Sequence, residues 1–169
     1  MPGKQVCGTP QELLKKVLEW KTKELHKEDK DHVWCIFDID DFYNNSKHDL
    51  LEAVKNAEKN GIKIAYANEC FELWILLHFK NLNSSVQRGK NIEREIREAF
   101  KINKLGSFTK NQKVFQILLP FQSKAIKNAK KLLPCNYNDI DWDKMLSVKG
   151  NPSTNIHLLV EEINDLYKD

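Results

Sequence analysis

The stretch Val33-Trp34-Cys35-Ile36-Phe37-Asp38-Ile39-Asp40-Asp41 decides how the rest of the chain is read. An unbroken apolar run followed by a burst of carboxylates has the form of a buried strand that ends at an acidic pocket. Side chains alternate along an extended backbone, so Asp38 and Asp40 point to one side of it. Two carboxylates so close repel each other unless a cation lies between them or one keeps its proton. Hard oxygen ligands of this kind suit Mg²⁺ or Mn²⁺, which retain waters and hold substrate phosphates. For Asp41, capping the following helix is the better fit.

Outward from that strand, the first half alternates helix and strand. Lys4 to Cys7 has the composition of a short strand, and Thr9-Pro10-Gln11-Glu12 has the form of a capping box with Pro at the first helical position. Leu13, Leu14, Val17, Leu18 and Leu25 give that helix its apolar stripe. A second helix is expected from Ser46-Lys47-His48-Asp49, lined by Leu50, Leu51, Val54 and Ala57 and stopped at Gly61. Ile62 to Ala67 is the next strand. Phe71 to Phe79 is apolar nearly all round and predicts a buried helix. Strand, helix, strand at this spacing implies parallel neighbours.

After Asn83 the pattern changes. Helices are predicted around Ile92, Ile96 and Phe100, around Val114, Phe115 and Leu118, and from Pro120 through Leu132. Pro134 to Asp143 reads as an irregular connection, and Asn151-Pro152-Ser153-Thr154 as the cap of a final helix. The expected class is therefore α/β, a parallel sheet with flanking helices over residues 1–82. An all-helical, basic part over residues 83–169 packs on it within the same domain.

Composition narrows the classes. The 169 residues, 41% hydrophobic and 30% charged, fit a folded chain large enough for its own core. No window approaches the length of a membrane span, and the first residues lack an apolar signal region, which predicts a cytoplasmic protein. Cys7, Cys35, Cys70 and Cys135 have no zinc spacing and read as reduced thiols. The net charge of +3 hides an asymmetry: from Lys80 to Lys131 there are 13 Lys and Arg against 3 Glu, leaving −7 for the remainder. A basic helical half suggests an anionic partner, nucleic acid first, although a solvated Lys-rich surface would have the same composition. Lys110, Lys113, Lys124 and Lys127 are the candidate nucleic-acid contacts.

Ligands of open α/β sheets collect beyond the carboxyl ends of the strands. Asp38 lies at one such end, and Asn68, Glu69 and Glu72 just past the next, so Asp38, Asp40 and Glu72 are expected to share one crevice. A metal there would activate water and neutralise charge on a cleaved phosphodiester. Glu72 also suits the first turn of its helix on electrostatic grounds alone. His78, inside an apolar helix, fits a hydrogen-bonded core residue better than a base or ligand. His26, His32, His48 and His157 have no ligand spacing.

These blocks carry a resemblance. Trp34 to Asp40, then Ala65-Tyr66-Ala67-Asn68-Glu69-Cys70-Phe71-Glu72-Leu73-Trp74 through His78-Phe79, resemble the RloB family. Its pattern is a strand ending in Asp-x-Asp, then Ser-Asn-Pro-x-Phe-Glu-x-Trp and a His-Phe ending. The similarity continues through Thr109-Lys110-Asn111, Ala125 to Lys130 and Asn151-Pro152-Ser153-Thr154-Asn155. The resemblance implies a TOPRIM-like core whose acidic site binds Mg²⁺ or Mn²⁺, with Asp38 and Asp40 as metal ligands and Glu72 and His78 as candidate catalytic positions. It further implies a nuclease module of an antiphage, abortive-infection system, with DNA or RNA as substrate and an ATPase encoded nearby as partner. The alternative is a non-catalytic module that binds nucleic acid or that ATPase.

The chain also departs from the pattern. Members of the family usually begin with a strand ending in Glu-Gly, which carries the TOPRIM catalytic Glu, and nothing before Lys4 to Cys7 supplies it here. Ala67 and Glu69 stand where Ser and Pro are usual. The expectation is a fragment or shortened product, a site in which Glu69 or Glu72 takes the missing role, or a module whose catalysis is compromised. Two phosphoryl-transfer alternatives are excluded. Phosphatases that use Asp-x-Asp place Gly and Thr directly after it, where Asp41 and Phe42 stand, and a receiver domain needs an Asp within residues 62–67.

Overall fold

The computed structural model describes residues 9–24, 32–39, 42–83, 90–109 and 113–167. Helix α1 (Pro10–Glu24) opens on the expected reciprocal cap: Thr9 N–H donates to Glu12 Oε2, and Glu12 N–H donates to Thr9 Oγ1, both at 3.2 Å. Strand β1 (Val33–Asp38) leads into α2 (Phe42–Lys59), which starts before the expected Ser46. Neither Gly nor Pro lies between Phe42 and Ser46, so no backbone feature stops the helix from beginning earlier. It ends at Gly61, whose φ of +67° is left-handed and costs glycine little. Lys21 of α1 donates to the carbonyls of Asn60 and Gly61, placing a positive charge at the carbonyl end of α2. The expected strand at Lys4 to Cys7 lies outside the described residues.

Strand β2 (Ile62–Asn68) pairs with β1 in parallel, in register from Val33↔Ile62 to Asp38↔Ala67. Then follow α3 (Glu72–Leu77), α4 (Lys90–Ile102), α5 (Phe115–Leu118), a 3-10 turn over Leu119–Phe121, α6 (Gln122–Leu132), α7 (Trp142–Met145), β3 (Ser153–Thr154) and α8 (Ile156–Leu166). The sheet order is β1-β2-β3, which puts β2 in the middle. The Asn68–Glu69 and Asn151–Pro152 peptide bonds are cis.

The C-terminal part is not all-helical, which corrects the expectation. Ser153–Thr154 forms a strand antiparallel to the end of β2, pairing Ala67↔Thr154 and Asn68↔Ser153. The reason is the backbone of β2, whose edge away from β1 must find partners once buried. Further back along that edge, side chains replace a strand. Asn155 Oδ1 accepts from Tyr66 N–H at 2.8 Å and its Nδ2 donates to Ile64 O at 2.7 Å. Thr154 Oγ1 donates to Tyr66 O at 2.6 Å, and Ile64 N–H donates to the Tyr137 hydroxyl at 2.8 Å. The expected capping role survives in part, because Ile156 N–H at the start of α8 donates to Thr154 Oγ1.

Alternation on the strands divides the core between two faces. Cys35, Ile62, Ile64 and Tyr66 pack with Leu14, Leu50, Val54 and Ala57 of α1 and α2, together with Trp142 and Leu146. Ala65 and Ala67 pack with α3, Ile92, Ile96 and Phe100 of α4, Ala125 and Ala129 of α6, and Ile156. The small alanines let the wholly buried α3 approach the sheet. Beyond it, Phe79, Phe100, Phe108 and Phe121 form a ring cluster with centroids 5.3–5.5 Å apart. No helix among the described residues is long and apolar enough to cross a membrane.

If the Asn155 amide stands in for a strand, Asn155→Ala strands two buried backbone groups. Urea denaturation should then show a loss of about 2–5 kcal/mol. A loss under about 1 kcal/mol would mean that the edge finds other partners.

Candidate functional site

Asp38 is the last residue of β1 and is half-buried, on the same face of the sheet as Ala65 and Ala67. The ladder holds one residue further, since Ile39 N–H donates to Ala67 O at 3.1 Å. The backbone on both sides of Asp38 is therefore fixed. On the neighbouring strand the chain passes Asn68, whose Nδ2 donates to the carbonyls of Met145 and Ser147 at 2.9 and 2.8 Å. Asn68 thus anchors the loop after α7. Cys70 follows, fully buried, and Glu72 opens α3 at only 8% exposure.

Cys70 joins the two acidic residues. Burial pushes its thiol up to about 12, helped by the charge of Glu72, a hydrogen bond with the Glu72 carboxylate, and the charge of Asp38. The thiol keeps its proton and donates a hydrogen bond to the Glu72 carboxylate. Asp38 from β1 and Glu72 from α3, distant in sequence, so act on one sulfur. The carboxylate oxygens of Asp38 are of the hard donor type that Mg²⁺ or Mn²⁺ prefers. Asp40, second of the expected metal pair, lies outside the described residues, as does Asp41. Among the described residues no group of three or more His, Cys, Asp and Glu stands in metal-holding positions.

His78 is placed differently. It lies just past the far end of α3 from Glu72, 3% exposed, with Nδ1 at 2.9 Å from Trp74 O. A carbonyl only accepts, so Nδ1 carries the proton and the imidazole donates. Its ring meets Trp74 edge-on, centroids 5.1 Å apart. Burial holds its pKa below the usual imidazole value. The charges of Asp38 and Glu72 therefore both bear on Cys70, whereas His78 lies at the opposite end of the helix from Glu72. Of the candidate basic contacts, Lys113, Lys124 and Lys127 are exposed, while Lys110 lies outside the described residues.

Sequence reasoning missed two features. Cys70 was read only as a reduced thiol, and its position two residues before Glu72 was the available signal. At the amino end of the strands, Glu162 of α8 gathers His32, Trp34 Nε1 at 3.0 Å and Lys63. Burial opposes its charge, yet hydrogen bonds from Lys63, Trp34 and His32 bring its carboxyl down to about 2. A groove of about 460 Å³ lined by these residues, Tyr137 and Asp165 opens there. No sequence pattern links Glu162 to β1, because the contact is made only when α8 lies across the sheet.

Acid should unfold the protein through its buried imidazoles. His78 and His157 both have pKa values lowered by burial, and His157 Nδ1 has no hydrogen-bond partner among the described residues. A depressed histidine pKa means that the unfolded chain binds the proton more tightly. Stability is then level above the ordinary imidazole pKa of about 6.5 and falls as pH drops below it toward the lowered folded values. Thermal denaturation from pH 8 to 5 checks this, and His157→Leu should flatten the decline. An unchanged midpoint from pH 7 to 5 would refute it.

No curated protein and no solved structure matches the chain. The family model for RloB-like proteins matches residues 2–163, which takes in both strands of the parallel pair, the Asp38–Cys70–Glu72 cluster, the basic helices and most of α8. By that match over nearly its whole length, the chain belongs to the RloB-like protein family.

Proposed function

We propose that this chain is a metal-dependent nuclease module with a TOPRIM-like core, serving an antiphage, abortive-infection system. The observation that carries the chemistry is that Asp38 ends β1 at the carboxyl end of a parallel strand pair, with its charge and that of Glu72 both bearing on the Cys70 thiol. Ligands of open α/β sheets collect at that end. The resemblance of the sequence blocks supports the nuclease assignment and the defence role.

In this reading Asp38 and Asp40 hold the ion. Bound Mg²⁺ or Mn²⁺ supplies charge neutralisation on a phosphodiester and a more acidic water. Glu72 is the carboxylate that accepts a proton, and the Cys70 thiol orients it. Its helix cannot shift easily, since every residue from Glu72 to Leu77 is buried. His78 serves as a positioning residue, because its hydrogen bond to Trp74 O locks the end of α3. The partners are DNA or RNA and an ATPase encoded nearby.

The second reading, a non-catalytic module that binds nucleic acid or that ATPase, is favoured by the basic outer face of α6. Incubation with DNA and RNA plus Mg²⁺ or Mn²⁺ separates the two. Changes to the outer shell of metal sites already cost 10–100-fold, so Asp38→Ala should reduce cleavage by at least about 100-fold. Glu72→Gln should do likewise while leaving Mn²⁺ binding in place. No cleavage, or cleavage indifferent to Asp38→Ala, would refute the nuclease. Binding that survives Asp38→Ala and weakens steeply with salt would support the second reading for nucleic acid.

A further inference from the structure

We propose that Lys124, Lys127 and Lys131 form a phosphate track along α6, which holds the backbone of a nucleic acid without reading its bases and leads it to the carboxyl end of the sheet. This deepens the nuclease reading above by naming how the substrate is held, and it rests on that reading only for the cleavage measurement.

The three lysines share one face. A helix turns about 100° per residue, which sets Lys124, Lys127 and Lys131 within an arc of about 60° and over about 10 Å of its length. All three are exposed. Ala125, Asn128 and Ala129 are buried on the inward side, and Asn128 Nδ2 donates to Leu77 O at 2.8 Å, so the outward side is held in one orientation. The direction of α6 follows from its bonds to α8. Lys130 pairs with Glu161 at 2.6 Å, and Asn164 Nδ2 donates to Gln122 Oε1 at 2.9 Å, so the two helices run antiparallel. α8 starts directly after β3, and α6 also touches β3. β3 pairs with Ala67 and Asn68 at the end of β2, and Asp38 pairs with Ala67 from the other edge. Lys131, in the last turn of α6, is therefore at the same end of the molecule as Asp38.

Charge complementarity selects the partner. An ordinary solvated helix mixes both signs and pairs them, as α4 does with Arg97 and Glu93. α6 carries lysine as its sole charged residue, and no Asp or Glu occurs anywhere between Glu98 and Asp139. Glu161 takes up Lys130, while Lys124, Lys127 and Lys131 make no ion pair among the described residues. Three such cations over about 10 Å match about three phosphates of one strand, spaced at about 3.4 Å. The amides of α6 that could read base edges are engaged within the protein, Asn128 with Leu77 and Gln122 with Asn164. α6 has no aromatic residue to stack on a base. Contact is therefore with phosphates alone, which position a nucleic acid and carry no sequence information. A helix lying in a lipid surface turns an apolar face to it, and the apolar side of α6 is spent on the core around α3.

Fluorescence anisotropy tests this with two labelled duplexes of unrelated sequence, in EDTA so that no cleavage intervenes, at salt from about 50 to 200 mM. Joint Lys124→Ala, Lys127→Ala and Lys131→Ala should weaken both duplexes alike, about 10-fold at low salt, and lower the slope of log affinity against log salt by about 2.7. A charge-matched control on α1, joint Lys15→Ala, Lys16→Ala and Lys23→Ala at exposed positions, should change affinity by less than about 2-fold. With Mn²⁺ present, the α6 variant should raise KM for cleavage and leave kcat within about 2-fold, as loss of uniform binding does. No duplex binding by the wild-type chain, an unchanged salt slope in the α6 variant, an unequal loss on the two duplexes, an equal loss in the α1 control, or binding confined to phosphatidylserine vesicles would overturn the proposal. Cleavage with unchanged KM in the α6 variant also overturns it and leaves the nuclease reading standing. Binding lost in the α6 variant, with no cleavage by the wild-type chain, upholds the track and defeats the nuclease reading instead.

Discussion

Every backbone group on the two edges of β2 has to be paired, and much of the molecule is arranged to do it. β2 is buried at every position except Lys63, so water cannot serve its N–H and C=O groups. β1 satisfies one edge with a regular parallel ladder. The other edge is served piecemeal by a tyrosine hydroxyl, an asparagine amide, a threonine hydroxyl and a two-residue strand. This pins Tyr137, Thr154 and Asn155 to the sheet and sets where α8 begins. The Asn151-Pro152-Ser153-Thr154-Asn155 block therefore acts as an edge clamp as well as a helix start.

The clamp gives the two ends of the parallel pair different characters. At the carboxyl end, half-buried Asp38 ends β1, and its charge bears on the buried Cys70–Glu72 hydrogen bond. At the amino end, Glu162 is neutralised by Lys63 and bonded by Trp34 and His32. The second arrangement consumes its charge in tying α8 down. Positive charge is segregated onto the outer side of α6, the opposite side of that helix from its contacts with α3. Such separation keeps basic and acidic groups from cancelling each other.

Legibility in the sequence followed the range of the interactions. The Thr9–Glu12 cap, the Gly61 stop and the apolar spacing of α4 depend on residues within a few positions of one another, and all appear where expected. Ile62 to Asn68 was nearly right in extent for the same reason. The start of α2 was misplaced because Ser46 is a good cap by type, and capping preference is weaker than an uninterrupted helical backbone. Ser153–Thr154 was misread because its strand character comes wholly from β2, some eighty-five residues away in the chain.

By itself the sequence determined the parallel strand pair and the longer helices, the buried α3, the acidic end of β1 and the basic bias of the second half, since these reside in local periodicity and composition. The tertiary structure alone decided that the charges of Asp38 and Glu72 both bear on Cys70, that His78 faces a backbone carbonyl, and that Asn155 completes the sheet. Those outcomes depend on which backbone groups were left unpaired after the strands and helices formed. An unpaired buried group accepts whatever donor the packing delivers, and no local pattern in the chain records which one that will be.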